Sequence, residues 1–122
     1  MSQIENDVKA VEVSIEEAQK QIERSKQLRR LEKNKDFKGL ILEGLLREDA
    51  VRQVMLRASP QLLAPGPGGE TAKNGIEARM VMIGELNNYF RYIHIEGESS
   101  EAALREHENA HEELLQEQLA EA

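Results

Sequence analysis

The chain has 122 residues, no cysteine and a formal net charge of −7, which fits one small domain. The lack of cysteine excludes disulfide bonds and thiolate metal ligands, and no apolar run reaches the roughly 18 residues that a membrane-spanning helix needs. The first residues lack the features of a signal peptide, and Glu, Leu, Ala, Gln, Lys and Arg dominate, which favours helix. We therefore expect an all-α protein that is made in the cytoplasm and has no cofactor.

The first helix carries a heptad pattern. Apolar or small side chains recur at alternating spacings of four and three residues, at Ile4, Val8, Val11, Ile15, Ala18, Ile22 and Ser25. Such a narrow stripe is typical of a coiled-coil seam and needs a partner to cover it. We predict a long coiled-coil-like helix over residues 1–34, with an oligomer seam from Ile4 to Ile22 that suits dimers or trimers. The sequence leaves open whether this helix pairs with a second copy or folds back on Phe37 and Leu40.

Residues 35–122 are predicted to form a small helical bundle that ends in an acidic helix. Asp36 is a candidate N-cap for a helix that either breaks near Gly44 or continues as one bent helix to Ser59. Five apolar side chains are the expected core or partner surface, namely Phe37, Leu40, Ile41, Leu45 and Phe90. Further along, we expect an inward face made of Val51, Val54, Met55 and Ala58.

An exposed loop is predicted over residues 59–70, which contain all three prolines and three of the eight glycines. Thr71 is expected to open the next helix, which has apolar residues at spacings of three and four. Gly97 is expected to end that helix, and Ser99 or Ser100 to cap the last one. These signals divide the chain into a coiled-coil helix and a bundle.

Residues 107–111, with the sequence HENAH, match the HExxH pattern of zinc metalloproteases. Histidines four apart on a helix can bind one zinc ion, and the glutamate can act as general base. A third ligand normally lies further along, but only eleven residues follow His111, and His94 is better explained as the polar end of the preceding helix. We interpret His107 and His111 as surface or interface histidines and predict no catalytic residue and no metal ligand. A zinc-dependent hydrolase is the remote alternative.

Charge is unevenly distributed along the chain. Residues 20–38 carry eight bases and three acids, whereas residues 96–122 carry nine acids and one base. The basic block can be a solvated helix face, or it can meet the acidic segment of its own or a neighbouring chain and so orient subunits. Local contact with nucleic acid ranks last, because the net charge of the chain is negative. We expect no membrane partner.

Residues 33–118 resemble a set of small helical proteins encoded by tailed bacteriophages. The resemblance is carried by Lys35, Asp36 and Phe37, by the run from Leu40 to Leu45, by the turn at Glu48 to Ala50 and by the stop at Ala58 to Pro60. It implies an accessory or virion role and supplies no functional residues. We predict a non-enzymatic structural or assembly protein that binds itself and other virion proteins, first in the host cytoplasm and then in the virion. The alternative is a regulatory or chaperone-like adaptor for a host or viral protein.

Overall fold

A computed structural model describes residues 2–60 and 66–121 as a set of helices. They are α1 (Gln3–Glu32), α2 (Lys35–Phe37), a π-helix (Lys38–Asp49), α3 (Ala50–Arg57) and α4 (Pro67–Glu121). No strand occurs in these two ranges, which confirms the predicted all-α class and the long N-terminal helix. Within the same ranges, none of the helices has the length and apolar character needed to cross a membrane.

Helix α1 ends within two residues of its predicted C-terminus. Glu5 lies in its first turn and Arg29 and Arg30 in its last, where these charges complement the helix dipole. The Ser2 Oγ accepts a hydrogen bond from the backbone nitrogen of Glu5 at 3.2 Å, as an N-cap residue does. The buried residues are Val8, Ala18, Ser25 and Leu28. Because the first three belong to the heptad stripe, the predicted stripe is the buried face of the helix.

The helix that begins at Lys35 is capped by Asn34. The prediction that Asp36 is its N-cap was therefore wrong. The Asn34 Oδ1 accepts hydrogen bonds from the backbone nitrogens of Asp36 and Phe37, each at 3.0 Å. Asp36 instead lies in the first helical turn, where its negative carboxylate interacts favourably with the positive end of the helix dipole. No break occurs at Gly44, and helical structure continues from Lys35 to Arg57.

The π-helix changes which side chains face inward. A π-helix closes its hydrogen bonds over five residues instead of four, so the positions after it are rotated relative to a continuous α-helix. Asp49 and Gln53 are buried. The predicted inward face is wrong, because its members are all exposed, namely Val51, Val54, Met55 and Ala58.

Helix α4 begins before the position predicted for it. Its first residue is Pro67, and proline suits this position because the first helical N–H needs no partner within the helix. Thr71 lies inside the helix and donates a hydrogen bond from Oγ1 to the Pro67 carbonyl at 3.0 Å, so it is not the cap. Of the predicted loop, residues 67–70 are therefore helical, and residues 61–65 lie outside the described residues.

Gly97 does not end a helix, and the predicted caps at Ser99 and Ser100 are wrong, because α4 continues to Glu121. A Cβ atom added to Gly97 would lie 2.6 Å from the Ser25 Oγ and closer still to the Ser25 Cβ. Ser25 is only 2% exposed, and its Oγ has no hydrogen-bond partner among the described residues. Gly97 therefore allows α4 to approach α1 closely.

The chain divides into two compact units. A terminal unit combines Met1–Leu28 with Tyr92–Ala122, and a central unit comprises Arg29–Arg91. This division differs from the sequence-based one at residues 34 and 35, because α1 packs on the C-terminal part of α4 instead of standing apart as a separate coiled-coil helix. The central unit contains the π-helix, α3 and the N-terminal part of α4.

Candidate functional site

The heptad seam of the terminal unit faces a segment of its own chain. The Glu12 Oε1 and the His111 Nε2 lie 3.2 Å apart, whereas Ser25 contacts Gly97. Because the later residue of α1 meets the earlier residue of α4, the two segments are antiparallel. From the sequence, the partner of the seam could be a second copy or the segment around Phe37 and Leu40. In the structure the partner is the C-terminal part of α4.

The predicted seam residues are covered to different degrees. Val8 and Ala18 are buried, and the others are half-buried, namely Ile4, Val11, Ile15 and Ile22. A shallow groove follows the seam and is lined by Asp7, Ala10, Val11, Ala110, Glu113, Leu114 and Glu117. The oligomer seam stays a prediction, and its residues already have an intrachain partner in α4.

The terminal unit is strongly acidic. It carries fifteen acidic and five basic side chains. Asp7, Glu113 and Glu117 line the same groove, so the acidic C-terminal segment lies beside the acidic start of α1. Because like charges repel, these three carboxylates do not favour the packing of the two segments.

The two histidines of the HExxH sequence lie on the side of α4 that faces α1. His111 is next to Glu12, and His107 is half-buried beside Ser14 and Ala18. His94 precedes His107 by thirteen residues on the same helix, which corresponds to about 20 Å, too far to share one ion. In the part of the chain that the structure describes, no three His, Asp or Glu side chains are grouped so as to hold a metal ion.

A buried carboxylate joins the helices of the central unit. Asp49 is 7% exposed, and its Oδ2 accepts a hydrogen bond from the Arg79 Nε at 2.9 Å. The Gln53 Nε2 donates to the Asp49 Oδ1 at 3.4 Å, and the Arg52 Nη1 lies 3.5 Å from the same oxygen. The hydrogen bond from Arg79 is the main cause that holds the pKa of Asp49 below its ordinary value, and burial opposes it. Removing one partner would leave a poorly solvated charge.

This cluster was not predictable from the sequence, because the two charged partners are 30 residues apart and no local pattern links them. A second ion pair, between the Arg57 Nη2 and the Glu77 Oε1 at 2.8 Å, joins α3 to α4. Both pairs connect the same two stretches of the central unit and therefore set how α4 lies against α3.

The predicted core or partner residues fall into two groups. The rings of Phe37 and Phe90 pack edge to face with centroids 5.8 Å apart, a favourable arrangement for aromatic pairs. Ile41 and Leu45 are half-buried, whereas Leu40 is exposed. The structure thus packs the two aromatic rings, both half-buried, against each other and leaves Leu40 at the surface.

An apolar groove, hereafter the central groove, lies between α4 and the segment made of the π-helix and α3. It has a volume of about 250 Å³ and is lined by Leu46, Ala50, Val54, Met80, Ile83, Gly84 and Asn87. A 150 Å³ apolar cavity is enough to bind benzene, so this groove has room for one or two aliphatic side chains. A Cβ atom on Gly84 would meet nothing within 4 Å, so space is open above this residue.

Large apolar side chains are exposed on the helices that form the central groove. Met55 is 68% exposed, and the others include Val51, Val54, Val81 and Met82. Exposed apolar patches on small proteins mark interaction sites when they are contiguous.

Comparisons of the chain with protein-family models, with curated proteins and with solved structures found no match.

Proposed function

We propose that this chain is a non-enzymatic structural or assembly protein that works by binding protein chains, its own copies included. The single observation that supports this most strongly is the apolar surface of the central unit, where Val51, Val54 and Met55 are exposed beside an apolar groove. Burial of such side chains is a main driving force of protein association.

The polar clusters of the central unit support a structural role. Asp49 and Arg79 are engaged with each other, as are Arg57 and Glu77, and both pairs join helices. These groups are therefore used for packing.

The setting that we propose for this activity is a bacteriophage particle or its assembly. This part of the proposal is supported by the resemblance of residues 33–118 to small phage proteins, which extends over most of the central unit. Co-sedimentation of the chain with purified particles tests it. Presence in infected cells together with absence from particles would instead identify a transient assembly factor or an adaptor.

The alternative, an adaptor that binds a host or viral protein as a monomer, is favoured by one observation. The α1 seam is already covered by α4 in the same chain, so the heptad pattern by itself does not require a second copy. The adaptor would then use its exposed apolar side chains for a different partner.

The absolute mass in solution, measured by light scattering on a sizing column at low and high salt, tests the proposal. A mass greater than that of one chain is expected, and we expect Met55→Glu to lower it because the charge would enter an apolar interface. Val13→Glu is the matched control, since Val13 is also exposed but lies in the terminal unit. A monomer at every concentration and at both salts would reject self-association and favour the adaptor.

A further inference from the structure

We propose that the central groove binds the C-terminal end of α4 from a second copy, so that the copies associate head to tail. This inference rests on the proposed self-association and names its two surfaces. The acceptor is the groove between α4 and the π-helix with α3. The donor is a short stripe on the last turns of α4, in the terminal unit.

The donor stripe is formed by Leu115 and Leu119. They are 38% and 76% exposed, and a spacing of four residues places them on the same face of α4. Leu114, in contrast, lines the seam groove against α1. Leu115 is four residues after His111 and so lies at the edge of the face of α4 that meets α1, whereas Leu119, one turn further on, is mostly exposed. Leucines four residues apart on one helix can anchor that helix in a groove.

The volume of the central groove fits such a donor. About 250 Å³ is enough for one or two aliphatic side chains, by comparison with the cavity that binds benzene. Ile83 is buried at its base, whereas Val54 is exposed at its edge. Insertion of a leucine would remove apolar surface from water on both partners.

Charge complementarity identifies a second copy as the occupant. The central unit carries eleven basic and eight acidic side chains, whereas the terminal unit carries fifteen acidic and five basic ones. Arg47 and Arg91 are exposed, and each is close in sequence to a residue that lines the groove. Glu112 is exposed and shares the face of Leu115, three residues away. Opposite charges at this contact would steer the encounter and fix its direction.

A contact between two different surfaces has a structural consequence. Each copy keeps one free groove and one free donor stripe after the first contact, so association continues until a ring closes or a filament grows. This geometry is suited to a protein that assembles into a larger structure. It also makes the mass of the assembly dependent on protein concentration and, through the charges, on salt.

The experiment fills the groove without harming the fold. We expect Gly84→Leu to block docking, because the new side chain enters open space in the groove and leucine is a better helix former than glycine. Gly75→Leu is the matched control, since its Cβ also meets nothing within 4 Å and Gly75 does not line the groove. By light scattering, the wild type and Gly75→Leu should gain mass with concentration, whereas Gly84→Leu should stay at 13.8 kDa.

Mixing two inactive variants tests the head-to-tail geometry. The double variant Leu115→Gln/Leu119→Gln lacks the donor stripe and should also be monomeric. Mixed with Gly84→Leu, it should form a one-to-one dimer that grows no further, because the pair retains one groove and one donor stripe. Absence of this dimer, or normal association of Gly84→Leu, would overturn the inference and leave the proposed function standing. A wild-type chain that stays monomeric would overturn both this inference and the proposed self-association.

Discussion

Replacing Gly97 by alanine tests the close approach of the two helices in the terminal unit. In an open helix position, glycine to alanine stabilises a protein by roughly 0.5–1 kcal/mol. At Gly97 the new methyl group would lie 2.6 Å from the Ser25 Oγ, and overpacking of this kind costs roughly 1–3 kcal/mol. We expect Gly97→Ala to lower the free energy of unfolding by about 1 kcal/mol. The control Gly75→Ala, which meets no neighbour, should raise it.

A compensating change at Ser25 separates this clash from other effects. Ser25→Gly removes both side-chain atoms that the new methyl group would meet. By itself this variant should be close to neutral, because a helix-propensity loss of about 0.5 kcal/mol is offset by removal of a buried hydroxyl that has no partner among the described residues. In the double variant the clash is absent, so the two changes should show a favourable coupling energy of roughly 1–3 kcal/mol.

Urea unfolding followed by far-ultraviolet circular dichroism measures all four variants under one set of conditions. The expected order of stability is Gly75→Ala first, the wild type next and Gly97→Ala last, with the double variant above Gly97→Ala. A stabilisation by Gly97→Ala equal to that of Gly75→Ala would refute the close approach of α1 and α4. Additive effects of Ser25→Gly and Gly97→Ala would show that the two residues are not in contact.

Three further predictions concern the central and terminal units. In the π-helix, Gly39→Ala should stabilise the protein by roughly 0.5–1 kcal/mol, whereas Gly44→Ala should not, because its methyl group would lie 2.9 Å from the Gly39 carbonyl oxygen; equal gains in urea unfolding would contradict this. The pKa of Asp49 is lowered in the fold, so its contribution to stability is fully present above the unfolded value of about 3.9 and is lost as the pH falls through the lower folded value. Melting temperatures of the wild type and Asp49→Asn should therefore converge below about pH 4, and a difference that does not change with pH would argue against the charged cluster. The Glu96 carboxylate accepts a hydrogen bond from the Tyr92 phenol and raises the pKa of that phenol, so Glu96→Gln should shift tyrosinate absorbance to lower pH, and an unchanged titration curve would exclude this bond.

The helical class and the buried face of α1 were predictable from the sequence. Heptad spacing is a local property, since residues three and four apart share a helix face whatever the partner is. Val8, Ala18 and Ser25 are therefore both stripe residues and buried residues. The same local logic brought Phe37 and Phe90 into the expected core set, and the structure packs their rings together.

The register of the central unit was not predictable from the same patterns. Helix-face arguments assume a constant number of residues per turn, and the π-helix before Asp49 breaks that assumption. Met55 is exposed, whereas Gln53, which donates a hydrogen bond to Asp49, is buried. The sequence pattern therefore predicted an inward position for Val51, Val54 and Met55, which in the structure belong to the exposed apolar surface.

Only the tertiary structure decided what covers the α1 seam and what Gly97 does. A heptad stripe shows that a partner is needed but carries no information on which chain supplies it. Glu12 and His111, which meet across the seam, are 99 residues apart, and Asp49 and Arg79 are 30 apart. The sequence by itself determined the all-α class and the buried face of α1, because those follow from local spacing. The pairing of helix faces depends on contacts between distant residues, and these exist only in the folded chain.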